Sequence, residues 1–225
     1  MKNSVIVDGL RSPIGLKNGN MVGMRADDLA ACVIDKLISK NDAIDRALYE
    51  DLVLGCAFPE GSQGMLISKG VSILSGLPIT NAAKVVNRFC GSSMDAAHQV
   101  SQSVVSGDSV CGIAGGVEDM FQVPMGGFNP SFHPDLYEKE YYIGMGETAE
   151  NLSEELNISR EDQEEFSVKS HEKALKAQSE GKFDNELVEI NFNEQKISKD
   201  EGPRQPDVDK IKSLAKFSAV SPIPM

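Results

Sequence analysis

The sequence predicts an α/β protein built on a mostly parallel, mixed sheet, and three observations carry that expectation. Over the first 120 residues, short apolar runs alternate with segments whose apolar residues recur every three or four positions. That is the β-α-β-α-β-α-β order of a layered sheet. The composition agrees: 40% of the 225 residues are hydrophobic, Trp is absent, and Gly, Ser, Val and Ala are common. Such a chain can bury a substantial core by close packing of small side chains. Finally, the texture changes after residue 120, where most of the acidic excess behind the net charge of −12 is found. A shift of this kind marks a boundary.

The elements follow in order. Val5, Ile6 and Val7 form an apolar run before the turn-rich residues 8–15, and read as a first, central strand. Asp27 and Asp28 open a helical pattern through Leu29, Val33, Ile34 and Leu37, where acidic residues suit the helix dipole. Residues 51–58 read as a second strand, 65–75 as a helix stopped by Gly76, and 84–89 as a buried third strand. A helix over 91–106 ends at Gly107, and 109–114 is a fourth strand. Residues 120–142 have no clear period and read as a long ordered loop. Gly144 opens a short helix; Ser159, followed by Glu161 and Asp162, has the pattern of a helix N-cap. Val188, Ile190 and Phe192 alternate with polar residues as in a half-exposed strand. Residues 199–209 read as a charged loop, 210–217 as a short helix and 218–225 as a tail.

Several function classes are disfavoured. An acidic chain is poorly suited to nonspecific nucleic-acid binding. No apolar run approaches a membrane span, and the N-terminus lacks a signal-peptide core. Four cysteines without CxxC spacing point to free thiols in a reducing compartment, which implies a cytoplasmic protein. Three scattered histidines offer no zinc site.

The chemistry centres on Cys90, at the junction of the third strand and the following helix. There it would sit at the positive end of a helix beside unpaired amides, which favours the nucleophilic thiolate and an adjacent oxyanion. The alternative is that Cys90 is a small buried hydrophobe, as many free cysteines are. Cys32 falls in a helical pattern, and Cys56 and Cys111 fall in strand patterns, so all three read as packing residues. A cysteine nucleophile usually works with a histidine base. His98 is eight residues along the same helix, about 12 Å of rise from Cys90 and out of reach. His133 lies in the long loop and His171 on a highly charged helix. The chain therefore presents a well-placed nucleophile without an evident base.

Val86-Asn87-Arg88-Phe89-Cys90-Gly91-Ser92-Ser93-Met94, then Ala114-Gly115-Gly116-Val117-Glu118-Asp119-Met120 and Val123-Pro124-Met125-Gly126-Gly127, resemble the thiolases, closest to the degradative 3-ketoacyl-CoA thiolases. The resemblance extends to Arg11-Ser12-Pro13-Ile14-Gly15, Met145-Gly146-Glu147-Thr148-Ala149-Glu150 and Asp200-Glu201-Gly202-Pro203-Arg204. It implies a thiolase-like layered fold. Residues 1–120 would be an N-terminal half-domain with an incomplete sheet, and residues 121–217 an inserted α/β loop domain covering coenzyme A. Cys90 would be the acylated nucleophile, Met145 would line the acyl-thioester pocket, and Arg204 and Ser213 would lie near coenzyme A. Acyl-CoA and coenzyme A are then substrates, with no separate cofactor and no metal, and the parent enzyme is a homo-oligomer. The family's second half carries an activating histidine and a second cysteine. Motifs for these are not found here, so the resemblance implies an N-terminal portion whose partner is a C-terminal thiolase half. Two other classes share parts of the pattern: a noncatalytic acyl-CoA-binding module on this scaffold, and a β-ketoacyl synthase-like condensing enzyme.

Overall fold

A computed structural model describes residues 3–215. The expected tail over 218–225 and the end of the 210–217 helix lie outside the described residues. The chain divides into two compact units, one running to Pro130 and including Asp184–Gly202, the other made of Ser131–Phe183 and the described residues from Pro203 on. Residues 184–202, within the expected loop-domain segment, thus pack with the first unit.

In the first unit, α1 (Ala26–Lys40), β1 (Tyr49–Gly55), α2 (Ile67–Leu74), β2 (Ala82–Val86), α3 (Ser92–Ser106) and β3 (Cys111–Gly116) alternate. The three strands form one parallel sheet in the order β2-β1-β3. The two-residue period of a strand divides its faces cleanly. Leu52 and Leu54 of β1, Ile113 of β3 and Ala83 and Val85 of β2 join α1 and α2 in the main core, with Ala30, Ile34, Ile38, Ile67 and Val71. The opposite face carries α3, where Gly112 packs against Val100.

Two glycines set how closely α3 approaches. A Cβ on Gly55, at the end of β1, would lie 2.6 Å from the backbone of Ser92 and Ser93. One on Gly116, at the end of β3, would collide with Ser93 Oγ. The first turn of α3 therefore rests on the C-terminal ends of β1 and β3, because no side chain stands between them.

Residues 184–202 add a small hairpin, β4 (Ile190–Phe192) with β5 (Gln195–Ile197). Val188, Ile190 and Ile197 bury themselves against Leu29, Cys32 and Val33 of α1. The helix thus serves two cores from different faces. Arg11 fastens the same segment: its guanidinium meets Asp200 at 2.7 and 3.0 Å and Glu186 at 2.6 Å.

Some sequence expectations are corrected. Residues 5–7 are not a strand, and Ile6 is 92% exposed. Apolar character suits them to a sheet, but no strand among the described residues pairs with them. The third strand is an edge strand, ending at Val86, and its Phe89 is exposed rather than buried. The second helix begins at Ile67 because Met65 and Leu66 adopt left-handed conformations, with φ of 50° and 58°. The strand at Val188–Phe192 proves to be a hairpin, turned by Asn193 and Glu194, both at positive φ.

The second unit is helical where described: α4 (Pro134–Glu138), α5 (Met145–Glu155), α6 (Arg160–Ser179) and α7 (Val208–Ser213). Helix α4 interrupts the expected long loop. Glu147 accepts from the Gly144 N–H at the start of α5, and Ser159 Oγ accepts from the Asp162 N–H at the start of α6. Both satisfy amides that a helix N-terminus leaves open. Arg160 of α6 donates to the carbonyls of Ile211 and Leu214 and so holds the end of α7.

Candidate active site

Cys90 sits where the sequence puts it, between β2 and α3, and its side chain is exposed. The turn that presents it is strained at the preceding residue, Phe89, with φ of +47°. A non-glycine residue there costs on the order of 1 kcal/mol and needs support from its surroundings. Hydrogen bonds supply that support. The Phe89 N–H donates to Asn87 Oδ1 at 2.9 Å, and the Arg88 N–H donates to Ser92 Oγ at 2.8 Å. Ser92 Oγ in turn donates to the Phe89 carbonyl at 2.6 Å. The Gly91 and Ser92 amides close the turn onto the carbonyls of Arg88 and Phe89.

Ser92 does not cap free amides of α3; it clamps the turn that carries Cys90. The amides of Arg88, Phe89, Gly91 and Ser92 are all occupied, and the Cys90 N–H has no acceptor among the described residues. An exposed thiol beside an unpaired amide can attack a carbonyl carbon and then hold the resulting oxyanion.

The other cysteines lie in different surroundings. Cys56 is fully buried, and desolvation, with the nearby Glu118 carboxylate adding to it, pushes its thiol up to about 11. Burial also raises Cys32 and Cys111 above the ordinary thiol range. These three stay protonated near neutral pH and pack as the sequence suggests.

Met145, Arg204 and Ser213 all belong to the second unit. Met145 opens α5 with an exposed side chain. Arg204 lies in the loop before α7, its backbone N–H donating to His171 Nδ1 at 3.4 Å. Ser213 ends α7 and donates its hydroxyl to the Lys210 carbonyl at 2.7 Å. His133 caps α4 by accepting the Asp135 N–H at 3.2 Å, and His98 is exposed on α3.

Sequence reasoning missed the support beneath Cys90. Glu118 follows β3, and its carboxylate accepts from the Ala57 N–H at 2.6 Å, the Phe58 N–H at 3.3 Å and Gln63 Nε2 at 2.9 Å. Gln63 is completely buried, also donates to the Phe58 carbonyl, and accepts the Asp119 N–H. Asn87 Nδ2 reaches the Ala57 carbonyl at 2.8 Å. The one local signal was Asn87 itself, two residues before a strained position, the spacing of an Asx turn.

Among the described residues no group of three His, Cys, Asp or Glu side chains could hold a metal ion, and no helix is long and apolar enough to cross a membrane. Residues 4–220 match the thiolase N-terminal domain. The 3-ketoacyl-CoA thiolase of Bacillus subtilis (strain 168) is 38% identical over 208 residues, covering 91% of this chain and 53% of the relative. That of Aliivibrio fischeri (strain ATCC 700601 / ES114) is 43% identical over 191 residues, covering 84% and 49%. The chain spans about half the length of the curated relatives it matches. With a match along nearly its whole length, the chain belongs to the thiolase family, by way of that family's N-terminal domain.

Proposed function

We propose that this chain is the nucleophile-bearing part of a 3-ketoacyl-CoA thiolase. The observation that carries the reading is the exposed Cys90, held on a strained turn beside the one unpaired amide of that turn. The names of its relatives supply the substrate class. The Cys90 thiolate attacks the C3 carbonyl of a 3-ketoacyl-CoA, and the Cys90 N–H steadies the oxyanion. Carbonyl re-formation breaks C2–C3. The electron pair leaves on C2 as the enolate of acetyl-CoA, which takes a proton. The acyl group remains on Cys90 as a thioester until the thiolate of a second coenzyme A attacks it, releasing the shortened acyl-CoA and restoring the Cys90 thiolate. Two half-reactions through one covalent intermediate give ping-pong kinetics. In the degradative direction this is a cytoplasmic step of fatty-acid β-oxidation; the reverse is a Claisen condensation.

In this reading the second unit is the coenzyme A-covering domain, with Met145 lining the acyl pocket and Arg204 and Ser213 meeting coenzyme A. The base for Cys90 and the acid for the enolate come from a C-terminal thiolase half, and the working enzyme is a homo-oligomer. Removing members of a catalytic unit costs orders of magnitude in rate, so the chain alone should show no measurable turnover. An acetoacetyl-CoA cleavage assay, with the chain alone and with a co-expressed C-terminal thiolase half, tests this. Cleavage is expected only from the pair, and Cys90→Ser should abolish it. Cys90-dependent cleavage by the chain alone would remove the need for a second half. Turnover surviving Cys90→Ser in the pair would overturn the role of Cys90.

A further inference from the structure

Between Glu118 and Cys90 runs an unbroken series of short contacts. Glu118 Oε2 accepts the Ala57 N–H at 2.6 Å; the Ala57 carbonyl accepts Asn87 Nδ2 at 2.8 Å; Asn87 Oδ1 accepts the Phe89 N–H at 2.9 Å. Phe89 is the residue at φ +47° immediately before Cys90. A second tie joins the same two loops, since the rings of Phe58 and Phe89 lie 6.0 Å apart and tilted by 44°. The loop at residues 57–58 is therefore a platform for the strained turn, and Glu118 fixes it from the far side.

The anchoring is stronger than a single contact. The Glu118 carboxylate collects three N–H donors besides the Cys56 thiol, and hydrogen bonds to an ionised acceptor are roughly twice as strong as neutral ones. Gln63, one of those donors, is buried and fixed at both ends of its amide by Phe58 and Asp119. By contrast, Asn87 and Phe89 are exposed, and the turn they form does not hold itself in a core. Its conformation is set by what it leans on.

We infer that Glu118 and Asn87 are positioning residues for Cys90. Glu118 holds the 57–58 loop, Asn87 transmits that position to the Phe89 amide, and the pair keep the Cys90 thiol and N–H in the arrangement the proposed acyl transfer uses. The inference rests on Cys90 being the nucleophile, and its test reads the turn itself rather than turnover.

The experiment is a double-mutant cycle in the 225-residue chain with Glu118→Ala, Asn87→Ala and both together. Iodoacetamide labelling of Cys90 is followed by peptide mapping at one pH, with Cys32 and Cys111 as internal references, and the Phe89 amide resonance is recorded for each variant. Each single change should slow Cys90 labelling about threefold or more and shift the Phe89 amide. The double variant should be no slower than Asn87→Ala alone, because residues in one hydrogen-bond network couple. Glu118→Gln keeps an acceptor for Ala57 but turns an amide NH2 toward the Phe58 N–H and Gln63 Nε2, so it should recover only part of the rate; it serves also if Glu118→Ala fails to fold. Additive effects, or a Glu118 change that leaves both the Cys90 rate and the Phe89 resonance untouched, would overturn the relay. The thiolase reading fails on a different result, turnover that survives Cys90→Ser in the reassembled pair.

Discussion

At the scale of single residues, reactivity and pH response follow from who stands next to whom. Cys90 is exposed on its turn, whereas burial shields Cys32, Cys56 and Cys111 and raises their thiols above the ordinary value. Limiting iodoacetamide on the folded chain should therefore modify Cys90 first; preferential labelling of any of the other three would contradict this assignment. Asp200 is the second case. The Arg11 guanidinium, aided by the Ile14 N–H at 2.9 Å, outweighs desolvation and holds its carboxyl below the ordinary range. A depressed folded-state value means the stabilisation is fully present above the unfolded carboxylate range, near pH 4, and is lost as pH falls through the folded value. Asp200→Asn should lower the melting temperature at pH 7 and reduce the loss of stability on acidification below pH 4. Equal acid sensitivity in variant and parent would show that the Arg11 contact is not coupled to folding. The place of Cys90 between β2 and α3 was legible because a lone cysteine at a change of period is a local feature. Glu118 and Gln63 were not, because their partners lie about 60 residues away in the chain and nothing in the spacing points across that gap.

At the scale of elements, periodicity found the helices and strands wherever a neighbour existed to reward it. The α1 pattern was visible because one face meets the sheet and the other the β4–β5 hairpin, and Gly107 ends α3 at φ +88° as a glycine stop should. The run at residues 5–7 has strand composition but no pairing partner among the described residues, which a local pattern cannot report. Nor could periodicity show that glycines at the ends of β1 and β3 leave the space in which α3 begins. That feature makes a sharp test. Gly55→Ala places a methyl 2.6 Å from the Ser92 and Ser93 backbone, which cannot swing aside as a flexible side chain would. Overpacking of this kind costs about 2 kcal/mol. The first turn of α3 should be displaced and the labelling rate of Cys90 changed along with the melting temperature. Gly70→Ala has open space around it and is the control; stability should change little or rise slightly through helix propensity. Equal effects at the two glycines would mean that close approach at Gly55 is not what seats the helix.

At the scale of the whole molecule, the first unit leaves open surfaces that its own described residues do not cover. In the sheet, β1 is central, and the outer edges of β2 and β3 pair with no strand among the described residues. Such edges present unpaired N–H and C=O groups to any other chain. Helix α3 buries only Ser92 and Ala96, while Met94 is 80% exposed and Phe89, just before it, 60%. Apolar surface of this kind marks an interface or a liability to aggregate. The relatives extend to about twice the aligned length, so a C-terminal thiolase half is the natural partner for these surfaces under the proposed function. The acidic excess after residue 120 provides charge repulsion between copies but satisfies no open strand edge. Sedimentation velocity should therefore show the chain alone self-associating, with a broad thermal transition. Co-expression with a C-terminal thiolase half should convert it to a discrete species with a sharper and higher melt, because a partner that binds the folded form stabilises it. Placing Lys at Met94, on the exposed side of α3, should weaken self-association and pairing together. A monodisperse monomer with a sharp cooperative melt would show instead that the sheet edges and α3 need no partner, and would move the weight of interpretation to a self-sufficient acyl-CoA-binding module.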